Sequence, residues 1–133
     1  MKVAANLSLL FTELPLLQRV LAARVAGFDG VEIQFPYALP AVQLAEALQR
    51  AGLPLVVMNL PAGDLIDGGA GLACVPAQQA AFDGALQEAL TYAAMARPLK
   101  VNVLAGRLVP GVTAEQAREC LAANLHSTAQ AFA

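Results

Sequence analysis

The chain has 133 residues, a formal net charge of −2 at pH 7, 58% hydrophobic residues and 14% charged residues, against about 25% charged in typical soluble proteins. A mildly acidic chain with no basic run argues against tracking a phosphate backbone, so nucleic-acid binding is not expected. No apolar run reaches the roughly 18 residues of a membrane span, and the N-terminus turns polar too early for a signal peptide, so a soluble, cytoplasmic protein with no membrane partner is expected. A small domain needs proportionally more polar surface than a large one, and the charge deficit therefore implies that part of this surface is covered by something else.

Lys2 to Ser8 reads as a first strand. Thr12 follows as an N-cap for a helix carrying Leu17, Val20, Leu21 and Arg24, which stops at Gly27. Gly30 to Phe35 is a second strand, broken by Pro36-Tyr37. Pro40 then opens a helix through Val42, Ala45 and Leu48, and Gly52 ends it. Pro54 to Asn59 is the third strand. It empties into Asn59-Leu60-Pro61-Ala62-Gly63-Asp64 and a glycine-rich stretch that runs to Pro76. In parallel α/β folds such a loop lies at the carboxyl end of the sheet, where ligands bind. Phe82, Ala85, Leu86, Ala89, Leu90 and Ala93 form the clearest helical stripe in the chain. Leu99 to Ala105 is the fourth strand. Thr113 and Gln116 form a capping box for a last helix through Ala117, Leu121, Leu125 and Ala129 toward Phe132.

Strict strand-helix alternation means a parallel sheet with helices packed on it. An open doubly wound sheet, half of an eight-stranded barrel and a truncated piece of either all satisfy it. The last helix keeps its period to Ala133 without a stop signal, and the low charge count suits a face that meets something else. Half a barrel of the TIM type, one domain over residues 1–133, is the expected architecture.

Barrel strands alternate between pore and helix sides. Val31, Ile33 and Phe35 share one parity, and Glu32 and Gln34 share the other, so this polar pair faces the pore. Asn6 and Asn102 are likewise polar residues inside apolar runs. Such groups either satisfy one another or meet a ligand near the strand ends. Arg107, just past the fourth strand, suits a carboxylate. Gly68, Gly69 and Gly71 fit a flexible lid better than a phosphate cradle. His126 lies on the last helix, away from the strand ends, and no Ser-His-Asp or Cys-His set is available. Cys74 and Cys120 lack metal-knot spacing and read as packing thiols.

Ala5-Asn6-Leu7-Ser8 with Leu10-Phe11, Gly30-Val31-Glu32 with Phe35-Pro36-Tyr37, the segment Asn59 to Asp64, and Val101-Asn102 with Leu104-Ala105-Gly106 resemble the hydroxypyruvate isomerase family. That family belongs to the xylose-isomerase-like (β/α)8 barrels, and the resemblance covers only its N-terminal half. It implies interconversion of hydroxypyruvate and 2-hydroxy-3-oxopropanoate (tartronate semialdehyde), a place in glyoxylate metabolism, and a divalent cation (Mg or Mn) in the full-length family. The family's paired glutamates and metal ligands lie in the other half, so no catalytic or metal residue is assigned here and the chain alone is expected to be inactive. Asn6, Glu32, Gln34, Tyr37, Asn59, Asp64, Asn102 and Arg107 are the expected substrate-binding residues for a small hydroxy-oxo acid. Met58 and Leu65 depart from the family pattern beside the Asn59–Asp64 segment and are expected to reshape the substrate mouth. A sugar isomerase or epimerase of the same fold and a non-catalytic half-barrel binding a partner or small molecule are the competing readings. Exposed edge strands make a homo-oligomer the expected assembly.

Overall fold

The computed structural model describes all 133 residues. In chain order the elements are β1 (Ala4–Asn6), α1 (Leu16–Val25), β2 (Gly30–Ile33), α2 (Ala41–Ala51), β3 (Leu55–Asn59), α3 (Gln79–Ala96), β4 (Lys100–Asn102) and α4 (Ala114–Phe132), with single 3-10 turns at Pro36–Ala38 and Pro76–Gln78. The four strands form one parallel sheet in the order β1-β2-β3-β4. The chain divides into two compact units, Met1–Asn59 with Thr91–Asn102, and Leu60–Leu90 with Val103–Ala133.

The first unit holds the whole sheet with α1 and α2. Along β2 the residues alternate as the sequence requires: Val31 and Ile33 are fully buried on one face, and Glu32 stands half-buried on the other. Ala5, Leu55 and Met58 join that buried face, with Val20 and Ala23 of α1 and Leu44 and Leu48 of α2 also buried. Burial of a Val, Leu or Ile side chain stabilises by roughly 1.5–3 kcal/mol, so this one-sided layer holds the unit together. Met58 therefore lies in the core, on the strand face opposite Val57 and Asn59, and does not shape a substrate mouth.

Helix α1 starts later than the sequence suggested. Pro15, not Thr12, occupies the N-cap position, and no side chain caps the helix. Arg19 replaces the cap in tying this turn: its guanidinium donates to Leu14 O (2.8 Å) and Leu7 O (2.7 Å). The other helix signals hold. Pro40 precedes α2, Gly52 closes it in the left-handed region at φ 65°, and Thr113 with Gln116 makes the reciprocal capping box of α4. The strands are shorter than expected, β1 and β4 being three residues each.

The second unit is built from the glycine-rich loop, most of α3 and α4. Phe82 is fully buried, and Leu60, Ala62, Leu72, Ala85 and Leu86 are buried in the same unit. The buried face of α4 differs from the expected apolar stripe: it consists of Ala117, Asn124 and Thr128, while Leu125 is 44% exposed. The physical reason is what that face meets. Asn124 Nδ2 donates to the Ala73 carbonyl (2.9 Å) and Asn124 Oδ1 accepts from Gln79 Nε2 (2.8 Å). A helix packed on loop backbone needs a polar partner for a carbonyl that otherwise has only the Cys120 thiol, at 3.5 Å. Thr128 Oγ1 donates back to Asn124 O (2.7 Å), satisfying the last polar group on the face. No helix of the chain is long and apolar enough to cross a membrane.

Candidate active site

The polar parity of the strands gathers on one cavity of about 490 Å³, lined by Asn6, Glu32, Gln34, Asn59, Lys100 and Asn102 with Ile33, Val57 and Val101. Strand register sorts these side chains into rows. Asn6 stands opposite Glu32, Glu32 opposite Val57, and Val57 opposite Lys100. Two residues further toward the carboxyl ends come Asn59 and Asn102, themselves register partners. Gln34 belongs with them, since the Asn59 N–H donates to Gln34 O (2.9 Å). The outer row is thus three neutral amides, and the inner row carries one carboxylate and one ammonium.

Several bonds fix this arrangement. Asn6 Oδ1 accepts the Ser8 N–H (3.0 Å), and Ser8 Oγ accepts the Gln34 N–H (2.9 Å), which pins the start of the first loop to the end of β2. Asn102 Nδ2 donates to Asn59 Oδ1 (3.1 Å). An amide pair joined this way keeps one NH2 group and one carbonyl oxygen for other partners. Tyr37 donates its hydroxyl to the Asn59 carbonyl. Its ring meets Tyr92 edge-on, at 5.3 Å between centroids and 70° between planes. Tyr92 in turn donates to Pro36 O (3.0 Å), and burial pushes its phenol up to about 12.

Of the eight residues singled out in the sequence, Asn6, Glu32, Gln34, Asn59 and Asn102 line the cavity, and Tyr37 reaches the backbone of one of them. Asp64 and Arg107 belong to the second unit, where they order the glycine-rich loop. Asp64 Oδ1 accepts the Gly71 N–H (3.1 Å), and its carboxyl group lies so close to Gly69 that an added Cβ would sit 2.0 Å from its carbon. The Arg107 guanidinium donates to Leu65 O (3.2 Å) and to Gly69 O, and the Arg107 N–H donates to Ala70 O (2.8 Å). The loop is tied at both ends, unlike the free lid its glycines suggested. Cys74 and Cys120 are free thiols in that unit. Cys120 is pushed up by burial and, second, by Cys74 beside it. His126 is exposed on α4.

Sequence reasoning missed Lys100, the one cation at the cavity, although it lies two residues before Asn102 and shares its strand parity. It also missed Val57, which separates Glu32 from Lys100 in the inner row. The donor set does not fit a divalent cation. Glu32 is the only carboxylate lining the cavity, and no three His, Cys, Asp or Glu side chains of the chain stand together as ligands. Such cations are ordinarily held by several hard oxygen ligands including carboxylates.

Four parallel βα units with a polar strand face on one cavity are half of a xylose-isomerase-like TIM-type barrel, and similar solved structures agree. A crystal structure of AP endonuclease, family 2, from Brucella melitensis matches with a TM-score of 0.88 at 32% identity, over 98% of this chain and 50% of that one. D-allulose 3-epimerase from Methylomonas sp. shares the fold, at a TM-score of 0.75 and 17% identity over 98% of this chain and 47% of that one. Among curated proteins, hydroxypyruvate isomerase of Escherichia coli K12 is 36% identical over 129 residues, covering 97% of this chain and 50% of the relative. The 2-oxo-tetronate isomerase of Pectobacterium atrosepticum is 38% identical over 132 residues, covering 99% and 50%. No family model matches the chain. By sequence the chain is similar to hydroxypyruvate isomerases and 2-oxo-tetronate isomerases, and it spans half or less of the length of the curated relatives it matches.

Proposed function

We propose that the cavity binds a small hydroxy-oxo acid, and that the whole barrel interconverts hydroxypyruvate and 2-hydroxy-3-oxopropanoate. The observation that carries this reading is the bonded Asn59–Asn102 pair, which offers one NH2 donor beside one carbonyl acceptor. A carbonyl next to a hydroxyl-bearing carbon presents the complementary acceptor and donor. Lys100 supplies a cation at the same cavity, suited to the carboxylate of an acid and unneeded by a neutral sugar.

The isomerisation takes a proton from C3 of hydroxypyruvate, passes through an enediol and returns a proton at C2, while the C3 hydroxyl proton moves to the C2 oxygen. Neutral amides contribute by donating to oxygens on which charge develops. Proton transfer between adjacent carbons needs a positioned base, and with paired carboxylates it needs two. Glu32 alone is present, so this chain supplies binding groups and the remaining carboxylates, with any magnesium or manganese ligands, come from outside it. The 133-residue chain is therefore expected to bind substrate without turning it over.

A second reading, 2-oxo-tetronate as the substrate, is favoured by the Pectobacterium relative. The outer row of three amides can serve the additional hydroxyl of that larger acid. Titration of the 15N-labelled chain with hydroxypyruvate, 2-oxo-tetronate and D-allulose separates a hydroxy-oxo acid site from a neutral-sugar site, and the tighter-binding acid ranks the two readings. The expected result is shifts at Asn59, Asn102 and Lys100 with the two acids, and none with the sugar. Equal response to all three, or metal-dependent turnover by a homogeneous sample, would overturn it.

A further inference from the structure

Asn59 is the pivot of the amide pair, and its own N–H is held by Gln34 O (2.9 Å). Its carbonyl is the acceptor for the Tyr37 hydroxyl. Tyr37 stands in the 3-10 turn after β2, a segment held from the other side by Tyr92: its hydroxyl bonds Pro36 O at 3.0 Å, and its ring packs edge-on against Tyr37 at 5.3 Å. Tyr92 is 7% exposed and Pro36 is buried, so this strut has little freedom to swing. A chain of contacts therefore runs from α3 through Tyr92 and Tyr37 to the backbone of Asn59, and from its side chain to Asn102.

We propose that Tyr37 is a positioning residue that sets substrate affinity by holding the strand end bearing Asn59, and with it the donor-acceptor spacing of the Asn59–Asn102 pair. This rests on the cavity being the hydroxy-oxo acid site. The Tyr37 hydroxyl donates to a main-chain carbonyl and so bears on the strand end. Removing that hydroxyl leaves the ring contact with Tyr92 in place and takes one restraint from the strand end. Loss of one hydrogen bond of this kind corresponds to about fivefold to tenfold in an equilibrium constant.

The test uses Tyr37→Phe, with Leu48→Ala in the core of α2 as a control that lowers stability without touching the strut. In the free protein, the Asn59 and Asn102 side-chain amide signals are expected to broaden or shift in Tyr37→Phe and to stay in place in Leu48→Ala. The hydroxypyruvate dissociation constant is expected to rise about fivefold to tenfold in Tyr37→Phe alone. Unchanged amide signals in Tyr37→Phe, or equal changes in both variants, would overturn the positioning role. If the wild-type chain shows no response to hydroxypyruvate, the ligand reading fails, and the free-protein amide signals still decide the mechanical claim.

Discussion

Residues that do the most here are the polar ones at buried or shared positions. Asn124 is 2% exposed, and its side chain serves the Ala73 carbonyl, the Gln79 amide and the Cys120 sulfur. Replacing it with Ala leaves the Ala73 carbonyl with only the weak Cys120 thiol as donor (3.5 Å), so Asn124→Ala is expected to cost about 2 kcal/mol, read as a lower midpoint in urea unfolding. An unchanged midpoint would mean that water takes over the carbonyl. At this scale the sequence was legible wherever a residue obeyed strand parity: Asn6, Glu32, Gln34 and Asn102 were found because a polar side chain inside an apolar run has to face something. Asn124 was not, since a helix that covers loop backbone buries an amide where the helical period calls for an apolar residue. Asp64 and Arg107 stood out in the sequence as ligand groups, but their bonds are to their own loop; only tertiary structure reveals which carbonyls a guanidinium has nearby.

At the scale of elements, capping and stop signals read well where they are local. Thr113-Gln116 and Gly52 need only their own turn, and both hold. Thr12 failed as a cap because Arg19, seven residues on, reaches back to Leu7 and Leu14 and sets the turn instead. Against the glycine-rich loop, Gly106 after β4 makes the closest approach to main chain: its φ is 96°, and an added Cβ would lie 2.5 Å from the Ala70 carbonyl oxygen. The neighbouring Arg107 N–H bonds that same oxygen. Gly106→Ala combines a disfavoured backbone region with a clash against main chain that cannot rotate away, and is expected to cost at least about 2 kcal/mol. Faster hydrogen exchange at Gly69, Gly71 and Arg107 would report the loop coming undone. Wild-type exchange there would show that the loop shifts to make room.

Considered as a whole, the sheet has two outer strands with one side each lacking a neighbour. The Asn59 N–H bonds Gln34 O on the β2 side, so its register partner Asn102 turns its backbone groups toward β3, and strand alternation leaves those of Val101 outward from β4. A two-fold axis along the sheet direction would bring β4 of one copy beside β1 of another at both junctions, with all strands parallel, closing eight strands as a barrel. Sedimentation equilibrium of the purified chain is expected to give about twice the 13.7 kDa of one copy, and Val101→Pro, which removes an outward N–H, to return it to a single copy. A single-copy mass for the wild type would sink the assembly. The strand-helix alternation that made half a barrel readable is a property of the order of elements, whereas the partner of each rim is written nowhere in the local pattern. Neither β1 nor β4 contains a proline to blunt it. The consequence is kinetic: until both rims are covered, any extended peptide competes for the same outward groups, and the yield of folded protein will depend on how quickly the right companion arrives.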